Sequence, residues 1–184
     1  MRLLLTGASG KLGGYIVQEL ESRGWGVLAP SRSQLDISRV VDLADVLSAL
    51  DPQVVIHAAA ISSIAESLQQ PDLMQRTNVE STAIIGQWCQ KHRRRLIFVS
   101  SDMVFDGHRA PYAEDAVACP ISSYGRSKLE AEQALKDIPE AKIVRPALMF
   151  GPPLGQHQSF FDMVLDRLTK GEKTSLFVDE WRTP

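Results

Sequence analysis

The stretch TGASGKLGG, Thr6 to Gly14, follows the apolar run MRLLL and leads directly into YIVQELESRG. Gly7, Gly10 and Gly13 stand three residues apart where a chain leaves a strand and enters a helix. Glycines at such a place let the backbone turn tightly, bring the helix N-terminus close to a ligand's phosphates, and let helix and strand pack closely. The spacing differs from the GxGxxG of the commonest dinucleotide fingerprint, and a glycine-rich turn without a ligand would look the same in isolation. Its surroundings favour the ligand. A strand precedes it, an amphipathic helix follows, and a second strand, WGVLA from Trp25, arrives where a mononucleotide-binding βαβ unit places one.

Outward from this unit, strand-like runs recur as LLLT, WGVLA, QVVIHAAA, RLIFVSS, AKIVRPA and SLFV, with helical periodicity in nearly every gap. That alternation predicts an α/β fold, a Rossmann-type doubly wound parallel sheet. Ser38 is placed to cap the helix RVVDLADVLSAL, which Asp51-Pro52 closes, and further helices are expected within 71–91, 122–137 and 157–170. The HRRR cluster, His92 to Arg95, falls where a helix C-terminus favours positive charge, so it is read as a cap and not a nucleic-acid patch.

The chain has 184 residues, the size of one domain, so residues 1–184 are read as a single nucleotide-binding unit. Twenty basic against 22 acidic residues give a net charge of -2, which supplies no field for nucleic acid or an anionic membrane. A small-molecule partner is expected. Cys89 and Cys119 are too few for a disulfide framework and neither has metal-ligand spacing, so no metal site is predicted and a reducing, cytoplasmic setting fits. The run before Thr6 is too short for a signal peptide or a membrane span.

The second strand bears on the cofactor. An NAD site wants an acidic residue about twenty positions past the glycines for the ribose hydroxyls, whereas an NADP site supplies Arg for the extra phosphate. No acid occurs from Trp25 to Leu35, and Arg32 stands just past the strand, so NADP(H) is favoured over NAD(H). Farther on, Tyr124 and Lys128 lie four apart on one helix face in SSYGRSKLEAEQAL. A tyrosine with a pKa near 10 is a poor acid-base catalyst at neutral pH, and an ammonium beside it would favour the phenolate. Ser100, Ser101 and Asp102 end the strand RLIFVSSD, at the carboxyl edge where parallel sheets bind ligands. His57, on an apolar strand, is read as a packed core histidine.

At this point the chain resembles the extended short-chain dehydrogenase/reductases. The resemblance rests on TGASGKLG, on LDIS at Leu35 to Ser38, on VIHAAA at Val55 to Ala60, and on TNV at Thr77 to Val79. It continues through VSSDMVFDG at Val99 to Gly107, YGRSK at Tyr124 to Lys128, and RPALMFGP at Arg145 to Pro152. Within that family LDIS, SSDMVFDG and the terminal DEWRTP look most like the dTDP-4-dehydrorhamnose reductase group, which reduces a 4-keto nucleotide sugar. The resemblance implies that Ser101 hydrogen-bonds the substrate oxygen, Tyr124 donates a proton to it, and Lys128 binds the nicotinamide ribose and tunes the tyrosine. Asn78 takes a structural and water-relay role, or is a helix-start residue with no part in catalysis. Gly7, Gly10, Lys11, Leu12 and Gly13 fall at the pyrophosphate, Asp36 and Ile37 near the adenine, Ala58, Ala59 and Ala60 along the ribose, and Ser101, Asp102 and Met103 at the substrate.

Two positions depart from that group. Met103 stands where a tyrosine is common and Leu148 where a tryptophan is common, so two sugar-contacting side chains are missing. Met103 also argues against a sugar dehydratase, because a thioether cannot move a proton. A nucleotide-sugar epimerase and a non-catalytic NADP-binding regulatory subunit stay open beside the reductase. The family dimerises through the helices within 71–91 and 122–137, and Ile84, Ile85 and Trp88 are expected to supply the apolar surface of a homodimer. Family members continue past the WRTP segment into a smaller lobe over the sugar nucleotide, so 175–184 is expected to open a substrate-binding segment of a longer chain.

Overall fold

The structure is a computed structural model and describes residues 1–151 and 160–175. Five parallel strands, β1 (Leu3–Thr6), β2 (Val27–Leu28), β3 (Val54–His57), β4 (Arg95–Val99) and β5 (Ala141–Val144), form one sheet in the order β2-β1-β3-β4-β5. Register follows the apolar pattern: Leu4 lies beside Val55, which lies beside Leu96, while Leu5 lies beside Ile56 and then Ile97. Because side chains alternate along a strand, the first row and Phe98 enter one core and the second row enters another. Helices therefore cover both faces, as the doubly wound reading requires.

α1 (Lys11–Ser22) covers the smaller core with Ile16, Val17 and Leu20. The larger core is closed by α2 (Val40–Leu50), α5 (Ser81–His92) and α6 (Ser123–Leu135), through Leu43, Leu47, Ile85, Trp88, Ala131 and Leu135. Between them run α3 (Ile64–Gln69), α4 (Pro71–Met74) and a π-helical turn over Gln75–Glu80 that leads straight into α5. The helix expected within 71–91 is thus three pieces, and the insertion of a wider turn re-aims Thr77 and Asn78 into the interior. α7 (Phe160–Thr169) follows β5, and SLFV beyond Ser175, like the WRTP segment, lies outside the described residues.

Two expectations are corrected. Ser38 does not cap α2: its hydroxyl donates to Asp36 Oδ1 at 2.7 Å, and the helix starts after Arg39 without a side-chain cap. Ile85 and Trp88 are not docking surface, since both are buried in this chain's own core, where the Trp88 indole N–H donates to Ser48 of α2. These two side chains serve the packing of α5 within the chain, together with α2 and α6.

Candidate cofactor cleft and reaction centre

The chain leaves β1 toward β2 on one side and returns to β3 on the other, so the sheet reverses direction between β1 and β3. Crevices for ligands form outside the carboxyl ends of strands at such a switch point. Here an open cleft of about 540 Å³ is lined by Gly7 and Gly10 after β1, Arg32, Asp36 and Ile37 beyond β2, and Ala58, Ala59 and Ala60 after β3. The two strand ends approach so closely that only glycine fits at position 7. Its φ is +76°, and a Cβ there would lie 2.6 Å from the Ala59 nitrogen. A Cβ on Gly13 would lie 2.1 Å from the Gly7 carbonyl oxygen, so α1 packs against the turn only because both positions are bare.

Gly10 heads α1 with extended backbone and no side-chain cap. The first-turn N–H groups therefore point toward the cleft, an arrangement that suits a diphosphate. The backbone of Lys11, Leu12 and Gly13 is in that turn, beside the cleft rather than lining it. Lys11 Nζ meets Asp162 Oδ2 of α7 at 2.9 Å, with both side chains mostly buried, a tether that no sequence pattern pointed to. These features fit a dinucleotide: a bare turn, a helix terminus and an open trough beside it. On the adenosine side, Arg32 Nε lies 3.9 Å from Asp36 Oδ2 with its side chain largely in solvent. Asp36 accepts from the Ser38 hydroxyl and backbone N–H, and chiefly that hydroxyl holds its carboxyl below the usual value.

Ser101, Asp102, Met103, Tyr124 and Lys128 do not line the cleft; they gather beyond it, where the end of β4 meets α6. Ser122 caps α6 by accepting from the Gly125 N–H at 3.0 Å, which sets Tyr124 in the first turn. Ser101 Oγ accepts from the Met103 N–H and donates to Asp102 Oδ1, both at 3.1 Å. Burial raises the Tyr124 pKa above its usual value and the Asp102 charge adds to this, while the Ser101 hydroxyl works against it. Lys128 is not among the groups that act on the Tyr124 hydroxyl in this arrangement. The ammonium faces elsewhere: Nζ sits over the Phe98 ring, 4.1 Å from its centroid, in a buried seat that depresses its pKa to about 7.

Asn78 is fully engaged, and not at a helix start. Its Oδ1 accepts from the Ile61 N–H at 2.8 Å and its Nδ2 donates to the Ile61 carbonyl and the Ser127 hydroxyl, both at 3.0 Å. One buried amide so ties the cleft wall after β3 to α6 between Tyr124 and Lys128. His57 is a core residue, bonded to Thr6 Oγ1 at 2.7 Å and Thr82 Oγ1 at 3.1 Å, with burial depressing its pKa to about 3. Ser63, Glu66 and Thr77 also line the cleft without having been singled out, since no spacing rule marks them. Among the described residues no cluster of three or more His, Cys, Asp or Glu is placed to hold a metal, and no helix is long and apolar enough to cross a membrane.

The family model described as RmlD substrate binding domain matches residues 1–184. The chain belongs to this family. A probable dTDP-4,6-dihydroxy-2-methyloxan-3-one 4-ketoreductase of Streptomyces antibioticus is 32% identical over all of this chain and 62% of its own length. The methionine adenosyltransferase 2 subunit beta of Xenopus tropicalis is also 32% identical, over 98% of this chain and 56% of its own. The crystal structure of dTDP-4-dehydrorhamnose reductase from Bacillus anthracis in complex with NADP superposes with a TM-score of 0.82. It is 28% identical and is aligned over 94% of this chain and 61% of its own. MoeE5 in complex with UDP-glucose and NAD gives a TM-score of 0.78 at 26% identity, over 94% of this chain and 62% of its own. The chain spans about 60% of the length of these relatives.

Proposed function

We propose that this RmlD-family chain is the nucleotide-binding part of an NADP(H)-linked reductase acting on the keto group of a nucleotide sugar. The observation that carries the reading is the approach of Ser101 to Tyr124, with Lys128 one helical turn on, just beyond a glycine-floored cleft that suits a dinucleotide. Gly7, Gly10 and the first turn of α1 would hold the diphosphate, Arg32 the extra phosphate, Ala58 to Ala60 one ribose and Lys128 the other. When bound, the reduced nicotinamide supplies a hydride for the carbonyl carbon. Ser101 orients the carbonyl oxygen, and Tyr124 gives it the proton that completes the alcohol. A phenol whose pKa is raised by burial holds that proton until the oxygen becomes basic, which suits a donor more than a base. Asp102 and Met103 follow Ser101 and stand nearest to where the sugar would lie.

The assay is NADPH consumption by the full-length protein against a panel of dTDP- and UDP-linked keto sugars. Turnover with NADPH over NADH supports the reading; tight cofactor binding with no turnover on any keto sugar would replace it with the second one. That second reading, a cofactor-binding regulatory subunit, is favoured by the likeness to methionine adenosyltransferase 2 subunit beta. An epimerase, the other alternative, would keep its cofactor bound through a cycle and show no net NADPH consumption. A homodimer belongs to the proposal through the family resemblance alone, since Ile85 and Trp88 face inward, and light scattering reads it. A cytoplasmic setting belongs to it through Cys89 and Cys119, both free thiols.

A further inference from the structure

One buried carboxylate joins the ends of β4 and β5 to α6. Glu132 lies one turn beyond Lys128 on the same face of α6, and both side chains are almost fully enclosed. Its Oε1 accepts from the Ser100 hydroxyl at 2.5 Å, and its two oxygens take Arg145 in a forked pair, Nε to Oε1 at 2.9 Å and Nη2 to Oε2 at 2.7 Å. Ser100 immediately precedes Ser101, and Arg145 immediately follows β5. The carboxylate therefore clamps the ends of β4 and β5 to the helix that carries Tyr124 and Lys128. A forked guanidinium and a hydroxyl account for its hydrogen bonds, while its charge stays within one helical turn of a lysine enclosed by an aromatic ring and the core.

We propose that Glu132 is a positioning residue that favours the charged form of Lys128 in its buried seat, and that Arg145 sets how much of the carboxylate's charge the lysine feels. The inference rests on the reading of Lys128 as part of the reaction centre for its consequence, though not for its physics. An ammonium removed from water is disfavoured unless an opposite charge lies near, and Glu132 is the counter-charge that opposes the burial. The other groups around Lys128 do not substitute for it. His57, from β3, is held neutral by burial; Tyr124, on α6, is neutral; Phe98, from β4, offers only its ring face; and Asp102 lies against Tyr124. Arg145, from beyond β5, is itself a cation and would depress the lysine further if its partner were lost.

Removing the carboxylate and removing its guanidinium partner should then move Lys128 in opposite directions. The measurement is the titration midpoint of Lys128 in the full chain, followed by NMR on protein labelled at the lysine Cε and assigned with Lys128→Met. The wild-type midpoint is expected near 7. Glu132→Gln should lower it, and Arg145→Met should raise it. Ser100→Ala, which takes one hydrogen bond and no charge from the carboxylate, should raise it by a smaller amount, and it keeps the test alive if a charge variant fails to fold. Midpoints that stay at the wild-type value, or that move the same way in both charge variants, would overturn the inference and leave Glu132 a purely structural clamp. Because this titration needs neither cofactor nor sugar, it stands apart from the reductase reading. If the midpoints move as expected while the alkaline limb of the pH–rate profile does not follow, Lys128 loses its place in the chemistry and the charge control remains.

Discussion

The cleft and the cluster of side chains beyond it are built on opposite principles. In the cleft, Arg32 is 70% exposed on its side chain and meets Asp36 at 3.9 Å, a contact that water screens and that contributes little to the fold. Beyond it Lys128 is 2% exposed, packed on Phe98 and one helical turn from Glu132, which binds Ser100 and Arg145. An exposed group can change ligand preference without touching stability. A buried charge cannot be altered without altering the fold's energetics, so chemistry and stability are coupled in one region and separate in the other.

Substitution in each region sharpens or breaks that contrast. Tyr124→Phe keeps the ring and removes one hydroxyl, so turnover of the full-length enzyme should fall by about 10² to 10⁴ while NADPH affinity holds, as steady-state rates and calorimetric titration would show. A wild-type rate would end the donor role. Gly13→Ala tests the turn beside the cleft. Its Cβ would meet the Gly7 carbonyl oxygen at 2.1 Å, and backbone cannot yield as a side-chain tip does. A loss of about 3 kcal/mol in denaturant unfolding is expected, with cofactor affinity falling alongside.

Lys128→Met should separate function from stability through pH. Folded Lys128 gives up its proton near 7, whereas in the unfolded chain it holds it to about 10.5, so between those values the unfolded state binds more protons and wild-type stability rises with pH. The cost of the buried charge is full below pH 7 and gone above 10.5. The variant lacks that cost. Its melting temperature should exceed wild type most at pH 6 to 7, with the gap closing as pH climbs through the window named by that shift, while NADPH binding weakens at every pH. An unchanged gap across the range would mean that Lys128 is not the group that titrates. The smallest effect is in the cleft. Arg32→Ala should cost NADPH about 1.5 kcal/mol, roughly tenfold in Kd, with NADH unaffected and unfolding unchanged. Equal losses for both cofactors would remove Arg32 from the cofactor choice.

Much of this contrast was legible before the fold was known, and its limits are physical. Gly7, Gly10 and Gly13 announce a close approach because few other residues need to be so bare in sequence, and Tyr124 with Lys128 announces itself by helical spacing. The network around Glu132 was silent. Its members come from β4, α6 and the segment after β5, and no local spacing marks Ser100 and Arg145 as partners of a glutamate that looks like one more helix-surface charge. Ile85 and Trp88 show the converse failure, since an apolar helix stripe states that something covers it without stating what.

The sequence by itself determined the alternation of strand and helix, the bare turn after β1, the order of the motifs and the side chains available for chemistry, because each depends on neighbours within a turn or two of the chain. The tertiary structure decided which charges meet. Asp36 was drawn to Ser38 and faced Arg32, Lys11 was drawn to Asp162 across the length of the chain, and Lys128 was turned onto Phe98, one helical turn from Glu132. Those pairings set how far each ionisable group is removed from water and what opposes the removal. Burial and counter-charge are properties of three-dimensional packing, and they fix a residue's protonation where spacing along the chain can only nominate the residue.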